Sequence, residues 1–221
     1  MDSNARREWI AKRIAQEFKS GDVINLGIGL PTLVAAHIPA DVQVLFQSEN
    51  GFVGLTAAPR DPAMQDPDVC NAGGFPAGII PGGAFFDSAT SFAIIRGGHV
   101  AATVLGTLEV DQHGNIANWM VPGKKVPGMG GAMDLLVGAN KVYVATDHVT
   151  KDGAPKLLER CTLPLTAQGA VDVVVTELGY FEITPEGFLL KELAPGATVD
   201  EVMASTAGHV VIASDLKEGT L

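Results

Sequence analysis

The chain has 221 residues, 47% hydrophobic and 18% charged, with a formal net charge of −10. Such a chain is long and apolar enough to bury a core, which excludes a disordered or fibrous protein. It also lacks the basic footprint of a nucleic-acid binder, since Arg96 is the only Lys or Arg between Asp61 and Pro122. Ile10, Ile14 and Phe18 recur at every fourth position and predict an amphipathic first helix, ended by Ser20-Gly21-Asp22. Val23 to Leu26 reads as a short strand. Gly27-Ile28-Gly29 turns the chain, and Pro31 opens a helix to about Ile38. After the turn Pro39-Ala40-Asp41, Val42 to Ser48 reads as a second strand, completing a βαβ unit with a right-handed crossover.

The middle of the chain, Gly51 to Pro122, holds most of the turn residues, with prolines and glycines scattered through the apolar run Phe75 to Phe86. A strand is expected at Val100 to Leu105, and another strand or edge at Thr107 to Val110. The latter is closed by a hairpin-like turn at Asp111-Gln112-His113-Gly114-Asn115. Val126 to Gly131 is a glycine loop before a short helix, Ala132 to Gly138. Strands at Lys141 to Thr146 and Val171 to Thr176, a helix at Asp200 to Thr206 and a late strand at Val210 to Ala213 complete the pattern. With no linker and no repeat, the chain reads as one domain over 1–221. Its class is α/β, with a mostly parallel sheet flanked by helices and an inserted glycine-rich β region.

The N-terminus lacks the apolar stretch of a signal peptide, and no apolar run approaches a membrane span. Cys70 and Cys161 show no paired spacing, so free, mostly buried thiols and a cytoplasmic location are expected. His37, His99, His113, His148 and His209 have no metal-ligand spacing, so no metal is expected. Neither Ser48 nor Ser88 sits in a Gly-x-Ser-x-Gly elbow, which disfavours a serine hydrolase.

Three loops offer chemistry. Glu49 stands where the second strand ends, before the turn dipeptide Asn50-Gly51, beyond a strand end of the kind that faces ligands in open α/β sheets. Alone it reads more readily as a solvated or capping turn glutamate. Gly27-Ile28-Gly29 presents backbone N–H groups between strand and helix, but Thr32 breaks the dinucleotide fingerprint, and a plain tight turn fits as well. Gly128-Met129-Gly130-Gly131 permits close approach of a substrate carbonyl, or merely close packing of helix on strand. Lys124 and Lys125 just upstream fit a phosphate or open solvent.

Phe46-Gln47-Ser48-Glu49-Asn50-Gly51 carries the Ser-Glu-Asn-Gly signature of class I CoA-transferases. Further blocks agree in order: Asn25 to Pro31, Asn71-Ala72-Gly73, Phe85 to Ser88, Arg96 to Val100, Gly114 to Trp119, Pro122-Gly123-Lys124, Gly128 to Leu135 and Cys161 to Thr166. The chain thus resembles the B (beta) subunit of the 3-oxoacid CoA-transferase group over most of its length. The resemblance implies that Glu49 attacks an acyl-CoA thioester and ends as a glutamyl-CoA thioester, with acetoacetate or 3-oxoadipate among the acids served. It implies oxyanion donors at Gly130 and at Ile28 or Gly29, with Asn25, Ser48, Asn50, Gly128, Gly131 and Lys124 lining the substrate and CoA site. No permanently bound cofactor is implied, coenzyme A being a substrate. The implied partner is an A (alpha) subunit in an A2B2 heterotetramer, without which this chain is inactive. One position departs from the pattern: where some relatives carry a lysine after Asn71-Ala72-Gly73, this chain has Gly74. Phosphate contacts are then expected from Lys124, Lys125 or the partner. A binding module that lost its chemistry and an acyl-CoA hydrolase are the other classes compatible with such a fold.

Overall fold

In a computed structural model, residues 2–123, 126 and 128–220 are described. Helix α1, Ser3–Ala15, starts at Asp2, whose carboxylate accepts from the Ala5 N–H at 2.8 Å. Its expected apolar face is present: Ile10 and Ile14 are fully buried, and Phe18 packs just beyond the helix. Burial of each isoleucine contributes about 2 kcal/mol. Arg13 ties α1 down, bonding Glu17 and Glu192 and lying over the Tyr180 ring.

The first strands are β1 (Val23–Leu26), β2 (Leu45–Ser48), β3 (Phe52–Ala57) and β4 (Ala77–Phe85). Helix α2 (Ser88–Arg96) leads to β5 (Ala102–Leu105) and the hairpin β6 (Glu109–Asp111) and β7 (Ile116–Ala117). Then come α3 (Ala132–Gly138), β8 (Val142–Ala145), β9 (Leu157–Leu158), β10 (Val173–Thr176), β11 (Gly179–Thr184), β12 (Gly187–Leu193), α4 (Val199–Ser205) and β13 (Val210–Glu218). Ten strands form one sheet in the order β13-β12-β11-β10-β8-β5-β1-β2-β3-β4, while β7, β6 and β9 form a small second sheet. The five central strands, β10 to β2, are all parallel, and β3 and β4 extend them antiparallel as the glycine-rich insertion.

Side-chain alternation divides the core between the two sheet faces. Ile24, Val104, Tyr143, Ala145, Val173 and Val175 face α1, whereas Leu105, Val142, Val144 and Val174 face α2 and α3.

Several boundaries differ from the sequence expectation. The stretch opened by Pro31 is a 3₁₀ helix, Leu30–His37, hemmed in by Gly29 before it and Pro39 after it. β2 starts only at Leu45, because the Val42 N–H is spent on the Pro39 carbonyl in a turn. β3, β4, α2 and the hairpin β11–β12 were not foreseen as elements, and β13 runs on to Glu218. The turn after β6 is as expected: Asp111 accepts from the N–H groups of His113 and Asn115. Both cysteines are unpaired, yet only half-buried. Burial, with Asp111 and Glu109 nearby, pushes the Cys161 thiol up to about 12. Among the described residues no helix is long and apolar enough to cross a membrane, and no three His, Cys, Asp or Glu side chains cluster as metal ligands.

Candidate active site

β1, β2, β5, β8 and β10 end at the same rim of the sheet, the rim where open α/β sheets hold ligands. There β2 passes into β3 through a tight turn, in which the Gly51 N–H donates to the Ser48 carbonyl at 3.0 Å. Glu49 and Asn50 are its two central residues. The turn admits only glycine at its end: Gly51 has φ +138, and a Cβ there would lie 2.2 Å from the Phe86 carbonyl oxygen. The Phe86 N–H in turn donates to the Gly51 carbonyl at 2.8 Å. The next residue, Asp87, caps α2 by accepting from the Thr90 N–H at 2.7 Å. The turn is therefore fastened to the start of α2.

Glu49 is half-buried, and its Oε2 accepts from Asn25 Nδ2 at 3.1 Å. Asn25, the next-to-last residue of β1, is 1% exposed. On the other side stands the glycine loop. A Cβ built on Gly131 would be 3.2 Å from Glu49 Cγ and 3.5 Å from its Oε1, with the Phe92 ring of α2 at 3.4 Å. A strand residue and a loop far apart in sequence thus enclose one carboxylate between an amide donor and a side-chain-free backbone.

The remaining expected residues divide into two groups. Ile28, Gly29 and Gly130 lie exposed on the rim loops, and Gly29 and Gly130 have positive φ. Among the described residues no hydrogen bond is made by the N–H groups of these three. Gly128 is also exposed on its loop. Ser48 and Asn50, by contrast, are spent on the segment after β3 rather than on Glu49. Ser48 Oγ accepts from the Ala72 N–H at 3.0 Å, and Asn50 Nδ2 donates to the Cys70 carbonyl at 2.8 Å. They pin this segment, in which Asn71 Oδ1 accepts from the N–H groups of Gly73 and Phe75, against β2. Lys124 and Lys125 lie outside the described residues.

Three residues near the carboxylate were not singled out from the sequence: Gln47, Ser91 and Phe92. Gln47 pairs in register with Asn25, a polar residue in an otherwise apolar strand, and that placement was the available signal. Arg96 is paired with Asp134 at 2.6 Å, joining α2 to α3. A separate cavity of about 320 Å³ lies at Arg6, His148, Glu177 and Glu201, and none of the Glu49 group lines it. There His148 sits between the hydroxyls of Thr176 and Thr206, and burial lowers its pKa to about 4, leaving it neutral.

A family model described as coenzyme A transferase matches residues 7–205. The beta subunit of an acetate CoA-transferase from Haemophilus influenzae is 55% identical over 212 residues, 96% of this chain and 94% of that protein. The B-type subunit of a succinyl-CoA:3-ketoacid coenzyme A transferase from Helicobacter pylori is 48% identical over 200 residues, 90% of this chain and 96% of that one. Among solved structures, an acyl-CoA transferase from Escherichia coli O157:H7 superposes with a TM-score of 0.78 at 23% identity, covering 97% of this chain and 43% of that chain. That last likeness speaks for the fold. Together these matches show that the chain belongs to the coenzyme A transferase family, as a B-type member of class I.

Proposed function

We propose that this chain is the catalytic subunit of a transferase that moves CoA between an acyl-CoA and a carboxylic acid, with a 3-oxoacid such as acetoacetate among its substrates. The observation that carries the reading is the placement of Glu49, a carboxylate on a tight turn with Oε2 on an amide donor and Oε1 beside Gly131. A Glu49 oxygen attacks the thioester carbonyl and the C–S bond breaks, leaving an acyl-glutamyl anhydride and CoA thiolate. The thiolate adds to the Glu49 carbonyl and expels the donor acid, so the enzyme holds a glutamyl-CoA thioester. The acceptor carboxylate then retraces both steps. Because Glu49 is itself a carboxylate, each exchange is nearly isoenergetic, and splitting one difficult transfer into halves is what covalent catalysis provides. The tetrahedral oxyanion at the acyl carbon is assigned to the N–H groups of Gly130 and of Ile28 or Gly29.

The active unit in this reading includes an A (alpha) subunit, as A2B2, in keeping with relatives whose names make them one of two chain types. Exposed apolar side chains on and near the rim loops, Ile28, Phe75, Phe85 and Met133, suit burial by that partner. Two unpaired thiols suit a reducing, cytoplasmic setting. The test is to trap the intermediate. The chain, co-purified with its alpha partner, is incubated with acetoacetyl-CoA, quenched with borohydride and digested. Mass spectrometry is expected to find the modification on Glu49 alone. Labelling of another carboxylate, or thioester loss that needs no acceptor acid, refutes the proposal, the latter in favour of a hydrolase. Succinate, acetate and 3-oxoadipate as acceptors then rank the substrates.

The tight fit at Gly131 gives a second expectation. Its φ of −80 and ψ of −2 suit alanine, so Gly131→Ala should leave the melting temperature unchanged. The new methyl must push Glu49 by a few tenths of an ångström, which should lower kcat about tenfold. Steady-state kinetics beside a thermal melt checks both halves.

A further inference from the structure

We infer that Gln47 and Ser91 are positioning residues for the nucleophile, acting through Asn25; this rests on the reading of Glu49 as the group that becomes acylated. An ionised carboxylate only accepts hydrogen bonds, so Asn25 must turn its NH₂ toward Glu49. The same nitrogen donates to Gln47 Oε1 at 2.8 Å and, more loosely, to the Gln47 carbonyl at 3.3 Å. Asn25 Oδ1 is buried and has no partner among the described residues. The direction of the amide therefore depends on what its nitrogen touches.

The terminal torsion of an asparagine is broad, so the 3.1 Å contact with Glu49 does not by itself hold the group in one plane. Gln47 supplies the second anchor. Its own side chain is long, and its far end is fixed in turn: Nε2 donates to Ser91 Oγ on α2 at 2.8 Å. The result is a ladder, Ser91–Gln47–Asn25–Glu49, running from helix α2 across β2 and β1 to the reacting carboxylate.

Its setting argues for function. Gln47 is 2% exposed and Ser91 is fully buried, on the sheet face otherwise filled by Leu105, Leu135 and Val142. Polar groups buried in such a place cost stability unless every bond is made, and apolar residues of the same shape can serve packing as well or better. What the ladder adds is orientation at one carboxylate. Since neither residue is accessible to a substrate, its loss should act on the chemical step and spare binding.

The test uses the chain assembled with its alpha partner. Ser91→Ala, Gln47→Met, Ser91→Thr and Glu49→Gln are compared in kcat, KM for acetoacetyl-CoA and melting temperature. Ser91→Ala and Gln47→Met should each lower kcat about tenfold or more, with KM within about twofold of wild type. Ser91→Thr, which keeps the hydroxyl, should recover about fivefold over Ser91→Ala. Alanine at 91 favours a helix, so misfolding is not the expected source of that loss. Wild-type kcat in Ser91→Ala and Gln47→Met, or losses confined to KM or to the folded fraction, overturns the inference. An inactive Glu49→Gln beside an unimpaired Ser91→Ala rejects the ladder alone, whereas an active Glu49→Gln rejects the parent reading as well.

Discussion

Glu49→Gln in the assembled enzyme is expected to lower kcat for CoA transfer by roughly 10⁴-fold or more, with the chain still folded. Glutamine has nearly the shape of glutamate. Its amide oxygen can take the Asn25 N–H in place of Oε2, and its Cγ meets Gly131 as before. What disappears is the anionic oxygen that, in the proposed mechanism, adds to the thioester and leaves again as a carboxylate. An amide is a poor nucleophile and forms no anhydride, so the covalent route closes while the geometry persists. Initial rates of acetoacetyl-CoA consumption with an acceptor acid measure the loss, and a thermal melt establishes that the variant is intact. Transfer within tenfold of wild type would mean that the nucleophile lies elsewhere.

The second large effect is on stability. Gly51→Ala should cost about 3 kcal/mol or more, because it combines backbone strain with a clash. The added Cβ meets the backbone oxygen of Phe86 at 2.2 Å, and φ is +138. No rotamer can relieve a collision between two main-chain segments. In a chain of this length, that cost lowers the melting temperature by roughly 6–12 °C. The surviving folded fraction should also transfer CoA poorly, since the turn that carries Glu49 must open to make room. Calorimetry and kinetics on the same preparation separate the two losses. A Gly51→Ala protein with wild-type melting temperature and kcat would show that the turn relaxes freely.

How far the sequence disclosed this arrangement depended on how local the signal was. β1 and the end of β2 were legible because short apolar runs stop at turn residues, and α3 because three glycines precede it. β4 was hidden by Pro81 and its glycines. Proline argues against a strand in general, but it is tolerated at the edge of a sheet, and β4 is an edge. The hairpin β11–β12 does have a signal, Pro185-Glu186-Gly187 between apolar runs, but a weak one beside the α/β alternation around it. At the site, Glu49 is marked by its motif, but the directions of Ser48 and Asn50 are not, since their partners lie some twenty positions away. The bond from Gln47 to Ser91 spans forty-four positions and leaves no trace in any periodicity.

Helix α2 is joined to the site at three points. Its cap follows the residue that clasps Gly51, Ser91 meets Gln47, and Phe92 borders Gly131. The placement of Glu49 is thus tied to a nine-residue helix of which Ser91 and Ile95 alone are fully buried. Fraying of such a short element requires less free energy than melting the sheet beneath it. On heating, catalysis should therefore fail by loss of alignment while the hydrophobic layers on both sides of β8 and β10 are still intact. The thermal ceiling of the enzyme is then set by one helix, and tightening that helix is the direct way to raise it.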